Sequence, residues 1–175
     1  MSITIREADL GDPRDAAAIV ALVDSYAGGQ FGGGVPLPAS VREGMVAGLR
    51  AHPTTLVLLA CDGDAPIGIA VCFWGFSTFQ ARPLLNVHDL AVLPEAHGRG
   101  AGRALLAAAE ARARERGCCK LTLEVLDDNQ RARGLYASVG FGNPGAGLGD
   151  AAVVGVSAFT RLLSKPLSTA LEATR

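Results

Sequence analysis

Residues Leu84 to Arg116 read LLNVHDLAVLPEAHGRGAGRALLAAAEARARER, and this run constrains the chain most. An apolar strand meets Pro94, passes into the turn His97-Gly98-Arg99-Gly100-Ala101-Gly102, and opens an alanine-rich helix. A strand that feeds a glycine turn and then a helix makes an anion cradle. Unpaired backbone N–H groups face the ligand, backed by the positive end of the helix dipole. Glycine lets the main chain approach an anion without side chains in the way.

The other elements follow from periodicity. Ile3 to Glu7 alternates as a strand, and Pro13 suits the first position of a helix. Ala16, Ile19, Val20, Val23 and Ala27 recur at helical spacing. A glycine-rich loop, Gly28 to Pro36, leads to a second helix over Pro38 to His52. Thr54 to Cys61 and Ile67 to Trp74 are apolar runs around a Gly-containing turn, a hairpin signature. Lys120 to Leu126 alternates again, and Asp127-Asp128-Asn129 offers caps for a helix to about Val139. Val153 to Leu163 reads as a last strand. The order is βααβββαβαβ, an α/β fold in which one mixed, mostly antiparallel sheet is flanked by helices. Residues 1–163 form one domain, and 164–175 a C-terminal tail.

Composition excludes several classes. The 175 residues carry 16 basic and 17 acidic side chains, a balance that favours neither nucleic acid nor an anionic membrane. No run approaches the roughly 20 apolar residues of a membrane span. The start shows no basic-then-apolar leader, and Cys61, Cys72, Cys118 and Cys119 form no C-x-x-C; buried thiols in the cytoplasm are the expectation. No His and Cys spacing suggests a metal.

Three kinds of glycine loop follow a strand. The P-loop needs Lys-Ser/Thr after its last Gly, where Arg103-Ala104 stand. The dinucleotide pattern G-x-G-x-x-G needs a small last residue, where Arg103 or Leu105 stands, although Asp127 lies at the distance of a ribose-binding acid. The third pattern fits. Val92 to Leu106 resembles the acyl-CoA loop of the GNAT superfamily of N-acetyltransferases, R/Q-x-x-G-x-G/A. Gly100 and Gly102 match it, and His97 departs from it at the Arg/Gln position. Asn129-Gln130-Arg131-Ala132-Arg133-Gly134-Leu135-Tyr136, followed by Gly140-Phe141, resembles the family's N-x-x-A-x-x-L-Y…G-F. The resemblance runs from about Ile3 to Leu163. Gly75 to Pro83 and Val87 to Val92 also look like the diamine (spermidine/spermine) and thialysine branch, with His88 in place of that branch's Glu and Asp89 kept.

The resemblance implies transfer of an acetyl group from acetyl-CoA, without a metal, to a primary amine of a small molecule. It implies that backbone groups of Leu90, Ala91 and Val92 hold the pantetheine arm. His97, Gly98, Arg99, Gly100, Ala101, Gly102, Arg103 and Asn129 would hold the rest of the cofactor, although Asn129 reads equally as a helix cap. Dimers are common among such proteins, so a homodimer sharing the last strand is also an expectation.

The chemistry needs a neutral amine, an oxyanion holder and a proton for the departing thiolate. Tyr136 keeps its proton at pH 7 and can give it to sulfur; its alternative is packing beside Leu135 and Val139. The base is open between His88, Asp89 and, on the neighbouring strand, Glu124. On a regular strand His88 and Asp89 face opposite ways. Acceptor contacts are expected from Tyr26, Trp74, Phe76 and Ser77, whose aromatics suit an alkyl or cationic amine. With His88 replacing a Glu, a weaker preference for polycations follows.

Overall fold

The computed structural model describes residues 3–142 and 160–167. Strand β1 (Ile3–Glu7) is followed by helices α1 (Pro13–Ala27) and α2 (Ala39–Ala51). Strands β2 (Thr55–Asp62), β3 (Ala65–Ser77) and β4 (Arg82–Val92) form a meander. A short 3-10 turn, Pro94–Ala96, precedes α3 (Ala101–Glu115); β5 (Lys120–Leu126), α4 (Gln130–Ser138) and β6 (Thr160–Pro166) complete the chain. The observed order is the expected βααβββαβαβ. Strand β6 runs three residues past Leu163, so Ser164–Pro166 pair with β5 instead of starting a tail. Val153 to 159 of the expected last strand lie outside the described residues. Among the described residues around Phe141, a single bridge joins Gly142 to Ser164. Among the described residues, no helix is long and apolar enough to cross a membrane.

The sheet runs β1-β2-β3-β4-β5-β6. Only β4 and β5 are parallel. Parallel neighbours need a crossover, and α3 supplies it. One face carries α3 and α4. Along α3, Ala101, Leu105, Ala109 and Ala113 recur every fourth residue and are at most 1% exposed. They pack with Leu58, Ala70, Leu85, Val87, Leu121 and Leu123 of the strands, where alanine gives the helix a thin buried stripe. The other face carries α1 and α2, whose Ile19, Leu22 and Val46 pack on Val57, Leu59, Ile69, Val71 and Ala91.

Local signals set the helix ends. Asp12 caps α1 by accepting a hydrogen bond from the Arg14 N–H at 2.8 Å, with Pro13 in the first turn. The buried Asp15 ties α1 to the sheet. Its carboxylate accepts two bonds from the Arg6 guanidinium, both at 2.6 Å, and one from the Asp9 N–H at 2.8 Å. The Arg6 bonds hold the Asp15 carboxyl below the usual carboxylate range, against the opposing effect of burial, and the Asp9 N–H lowers it further.

This pair generates a prediction about acid stability. The Asp15 contribution is present above the unfolded carboxyl value of about 3.9, and it is lost as pH falls through the lower folded value. Because Arg6 is half exposed, Asp15→Asn should cost about 2 kcal/mol, less than a fully buried pair. The variant's stability should also change less with pH below about 4 than the parent's, in denaturant titrations across pH.

Candidate active site

The site begins where β4 leaves β5. The two strands pair only at Leu85–Leu121, Asn86–Thr122 and Val87–Leu123. Beyond Val87, β4 keeps its pairing with β3, with Leu90 opposite Ala70, Ala91 opposite Ile69 and Val92 opposite Gly68. Its other edge therefore has no strand partner over Leu90–Val92 among the described residues, although His97 Nε2 lies 2.8 Å from the Val92 carbonyl. An extended ligand can bond to such an edge as another strand would.

The divergence coincides with a bulge. Val71 stands opposite Asp89 and Cys72 opposite Val87, so His88 is an extra residue. Val71 belongs to the α1/α2 core and Cys72 to the α3/α4 core, so Asp89 lies on the α1/α2 face and Val87 on the other. The His88 ring meets Phe73 edge-on, 5.4 Å between centroids, and Phe73 also packs on the α1/α2 core. His88 and Asp89 thus share one face. This corrects the expectation that they point opposite ways. A bulge adds one residue and breaks the period of two. Glu124 is exposed on β5.

The cradle lies past the end of the same edge. Gly98 and Gly100 have φ of +75° and +89°, a region that favours glycine. Among the described residues, the N–H groups of Gly98, Arg99 and Gly100 donate no backbone hydrogen bond. The first turn of α3 adds N–H groups with no partner inside the helix. Gly102 serves differently: a Cβ there would come 3.0 Å from Leu135 Cδ2 on α4, so its bare backbone makes room for the helix that carries Tyr136.

A cavity of about 630 Å³ joins these parts, a size that suits a small-molecule site. Leu90, Ala91, Val92, His97, Gly98, Gly100, Ala101, Gly102 and Arg103 line it, with Asn129 and Tyr136 on the α4 side. Tyr26 and the loop residues Gly29, Gln30 and Phe31 close it from α1. This loop is held by bonds at its base: the Tyr26 hydroxyl donates to the Phe31 carbonyl at 3.4 Å, and the Leu37 N–H donates to Asp24 Oδ1 at 2.7 Å. Asp24 therefore anchors the loop and does not line the cavity.

Tyr136 is 7% exposed, and its ring lies 5.9 Å from that of Phe141. Burial, with a smaller contribution from Tyr26, pushes its hydroxyl up to about 12. Tyr26 is raised by burial and by the charge of Asp89. Asp89 is itself raised by burial, with His88 opposing. His88 and Asp89 stand beside the cavity wall and are not part of it.

Other expected residues lie elsewhere. Arg99 pairs with Asp62 at 2.5 Å and is outside the wall. Trp74, Phe76 and Ser77 are not brought to the cavity, which corrects the expected acceptor slot. Strand β3 runs antiparallel to β4, so Trp74 is opposite Leu85 and Ser77 opposite Arg82. Five residues of extended strand place Leu85 about 17 Å from Leu90. Trp74 instead packs beneath the Arg116 guanidinium, 4.2 Å from its ring centroid, and Phe76 is exposed near the hairpin tip. Asn129 combines both of its readings: it lines the cavity, and its Oδ1 accepts from the Ala132 N–H at 3.0 Å. Arg131, inside the N-x-x-A stretch, also lines the cavity and contacts His97, a role that the motif does not imply. Only a residue type, a cation near the cap, could have marked it in the sequence.

Comparison with known proteins places this geometry. Residues 34–141 match the acetyltransferase (GNAT) family model. The chain is 33% identical over 130 residues to the uncharacterized N-acetyltransferase YhfO of Bacillus subtilis, covering 73% of this chain and 83% of that protein. It is 33% identical over 79 residues to the thialysine N-epsilon-acetyltransferase of Bos taurus, covering 45% of this chain and 46% of that one. Its fold is similar to a chain of the NatC complex bound to Gag peptide and CoA, with TM-score 0.70, 21% identity, and coverage of 96% of this chain and 100% of that one. The family match and the YhfO likeness agree with the open strand edge and glycine turn: the chain belongs to the GNAT family and is an N-acetyltransferase that uses acetyl-CoA.

Proposed function

We propose that the protein transfers acetyl from acetyl-CoA directly to the primary amine of a small molecule. The observation that carries this reading is the single cavity wall that holds the open edge Leu90–Val92, the glycine turn and the Tyr136 ring together. In this reading the edge takes the pantetheine arm and the turn takes the pyrophosphate. Free N–H groups at the turn and the absence of side chains at Gly98 and Gly100 fit that role. The bound thioester supplies the acetyl group and the thiolate that leaves.

The chain's own residues handle protons and charge. Tyr136, with its hydroxyl pushed up to about 12, holds a proton at neutral pH and gives it to the departing sulfur. A backbone N–H of the β4 edge stabilises the oxyanion. Asp89, raised by burial and standing just outside the cavity wall, accepts the amine proton through water, and His88 beside it opposes that rise. Tyr26 and the loop Gly29 to Phe31 form the acceptor's side of the cavity. The lining of the cavity by Tyr26 and this loop is the observation that favours a small amine over a protein chain. The thialysine acetyltransferase likeness points the same way, while the fold likeness to a complex bound to a peptide keeps the protein acceptor as the rival.

A panel of monoamines, diamines, amino acids and N-terminal peptides, read by free-thiol release, tests the acceptor class. Turnover of peptides and of no small amine would overturn the proposal. Tyr136→Phe should lower kcat by about 100-fold or more, with the Kd for acetyl-CoA unchanged in calorimetry. Equal loss of both would make Tyr136 a packing residue. As a base, Asp89 works only when deprotonated, so kcat/KM should rise with pH through a value above the usual carboxylate range. In Asp89→Asn that limb should vanish, with activity down about 100-fold, and only the amine's own ionisation should remain in the profile.

A further inference from the structure

Several arginines stand near the glycine turn, and the structure separates them by what each already binds. Four arginines surround the turn and the start of α4. Arg99 is occupied by Asp62, and Arg133 donates to the Asp127 carbonyl at 2.9 Å; neither lines the cavity. Arg103 lines it, but its Nη2 donates to the Ser138 hydroxyl at 2.9 Å, which in turn donates to the Leu135 carbonyl at 2.6 Å. Arg131 is held differently. Its Nη1 donates to His97 Nδ1 at 2.5 Å, and His97 Nε2 lies 2.8 Å from the Val92 carbonyl.

The tautomer follows from these contacts. A guanidinium has only donors and keeps its charge, so Nδ1 of His97 must accept and carries no proton. Nε2 then carries the proton and donates it to Val92. His97 is therefore a neutral strut between the end of β4 and the start of α4. It fixes Arg131 without neutralising it. Among the described residues, Arg131 forms no ion pair with a carboxylate. An exposed guanidinium, fixed at one donor and uncompensated in charge, stands in the same wall as Gly98, Gly100 and Gly102.

We infer that Arg131 binds the phosphate oxygens of the acyl-CoA nucleotide end, with His97 as its positioning residue. This assignment rests on the acyl-CoA reading of the cavity. It places a side-chain cation on α4, where the loop itself carries His97 at the Arg/Gln position, and it gives the guanidinium a partner of opposite charge.

The test compares acetyl-CoA, acetyl-dephospho-CoA and S-acetylpantetheine on the full chain, with CoA binding followed by calorimetry. Arg131→Ala should raise the KM for acetyl-CoA and the Kd for CoA by about tenfold or more, the range of a charge-assisted hydrogen bond. It should leave kcat/KM for S-acetylpantetheine, which has no nucleotide phosphates, at the parent value. Arg131→Lys should recover part of the loss. If the loss persists with acetyl-dephospho-CoA, the contact is to the pyrophosphate; if it disappears, the contact is to the ribose phosphate. His97→Ala should weaken CoA binding, and its effect should shrink in the Arg131→Ala background, because the two act through one contact. Equal damage with S-acetylpantetheine would make Arg131 merely structural and overturn the inference, and an additive double-mutant cycle would overturn the role of His97. If the parent binds CoA and Arg131→Ala leaves that Kd unchanged, the assignment alone falls. If the parent binds no CoA, the acyl-CoA reading falls with it.

Discussion

The site depends on one strand that gives up a neighbour. Three residue pairs join β4 to β5, and then, among the described residues, β4 has no strand partner on that side while β3 still supports it on the other. Unpaired backbone groups in a protein interior cost free energy. An edge that is rigid on one side and open on the other is therefore preorganised for a ligand that completes the ladder. The bulge at His88 sits where the parting starts. It twists the strand locally, and it turns two consecutive polar side chains toward the face on which α1 stands.

Topology then puts the anion cradle beside that edge. Because β4 and β5 are parallel, the chain must cross over, and the crossover helix has to start near the end of β4. The positive end of α3 is thereby delivered to the open strand. Helix α4 brings the phenol from the opposite side, packed on the same core as α3. In the proposed reaction, the two helices of one face supply anion binding and the proton donor. On the other face α1 and the loop after it close the cavity, and Asp15 ties α1 to the sheet.

Much of this was legible in the residues. The strand, glycine turn and alanine helix form one continuous stretch, so local rules are enough to read them. The order of elements follows from periodicity and breakers, and two motifs at a set separation identify the family. What stayed hidden is non-local or breaks a period. A bulge leaves no mark in a strand of Val, His, Asp and Leu, and reading it as regular sends His88 and Asp89 apart. The aromatics at Trp74 and Phe76 suit an amine slot chemically, but only the hairpin register reveals which end of β4 they meet. His97 and Arg131 are 34 positions apart, and no pattern within either segment announces their contact.

Gly102 carries a mechanical consequence. The start of α3 and the helix bearing Tyr136 meet along a seam where one side is bare backbone, and a single added carbon would stand 3.0 Å from Leu135. That carbon would act as a wedge. It would push on the residue next to the phenol and on the helix end behind the anion at the same time. The spacing of these two helix ends is thus gauged at the seam by a glycine, and any side chain there has to be met by a shift of Leu135.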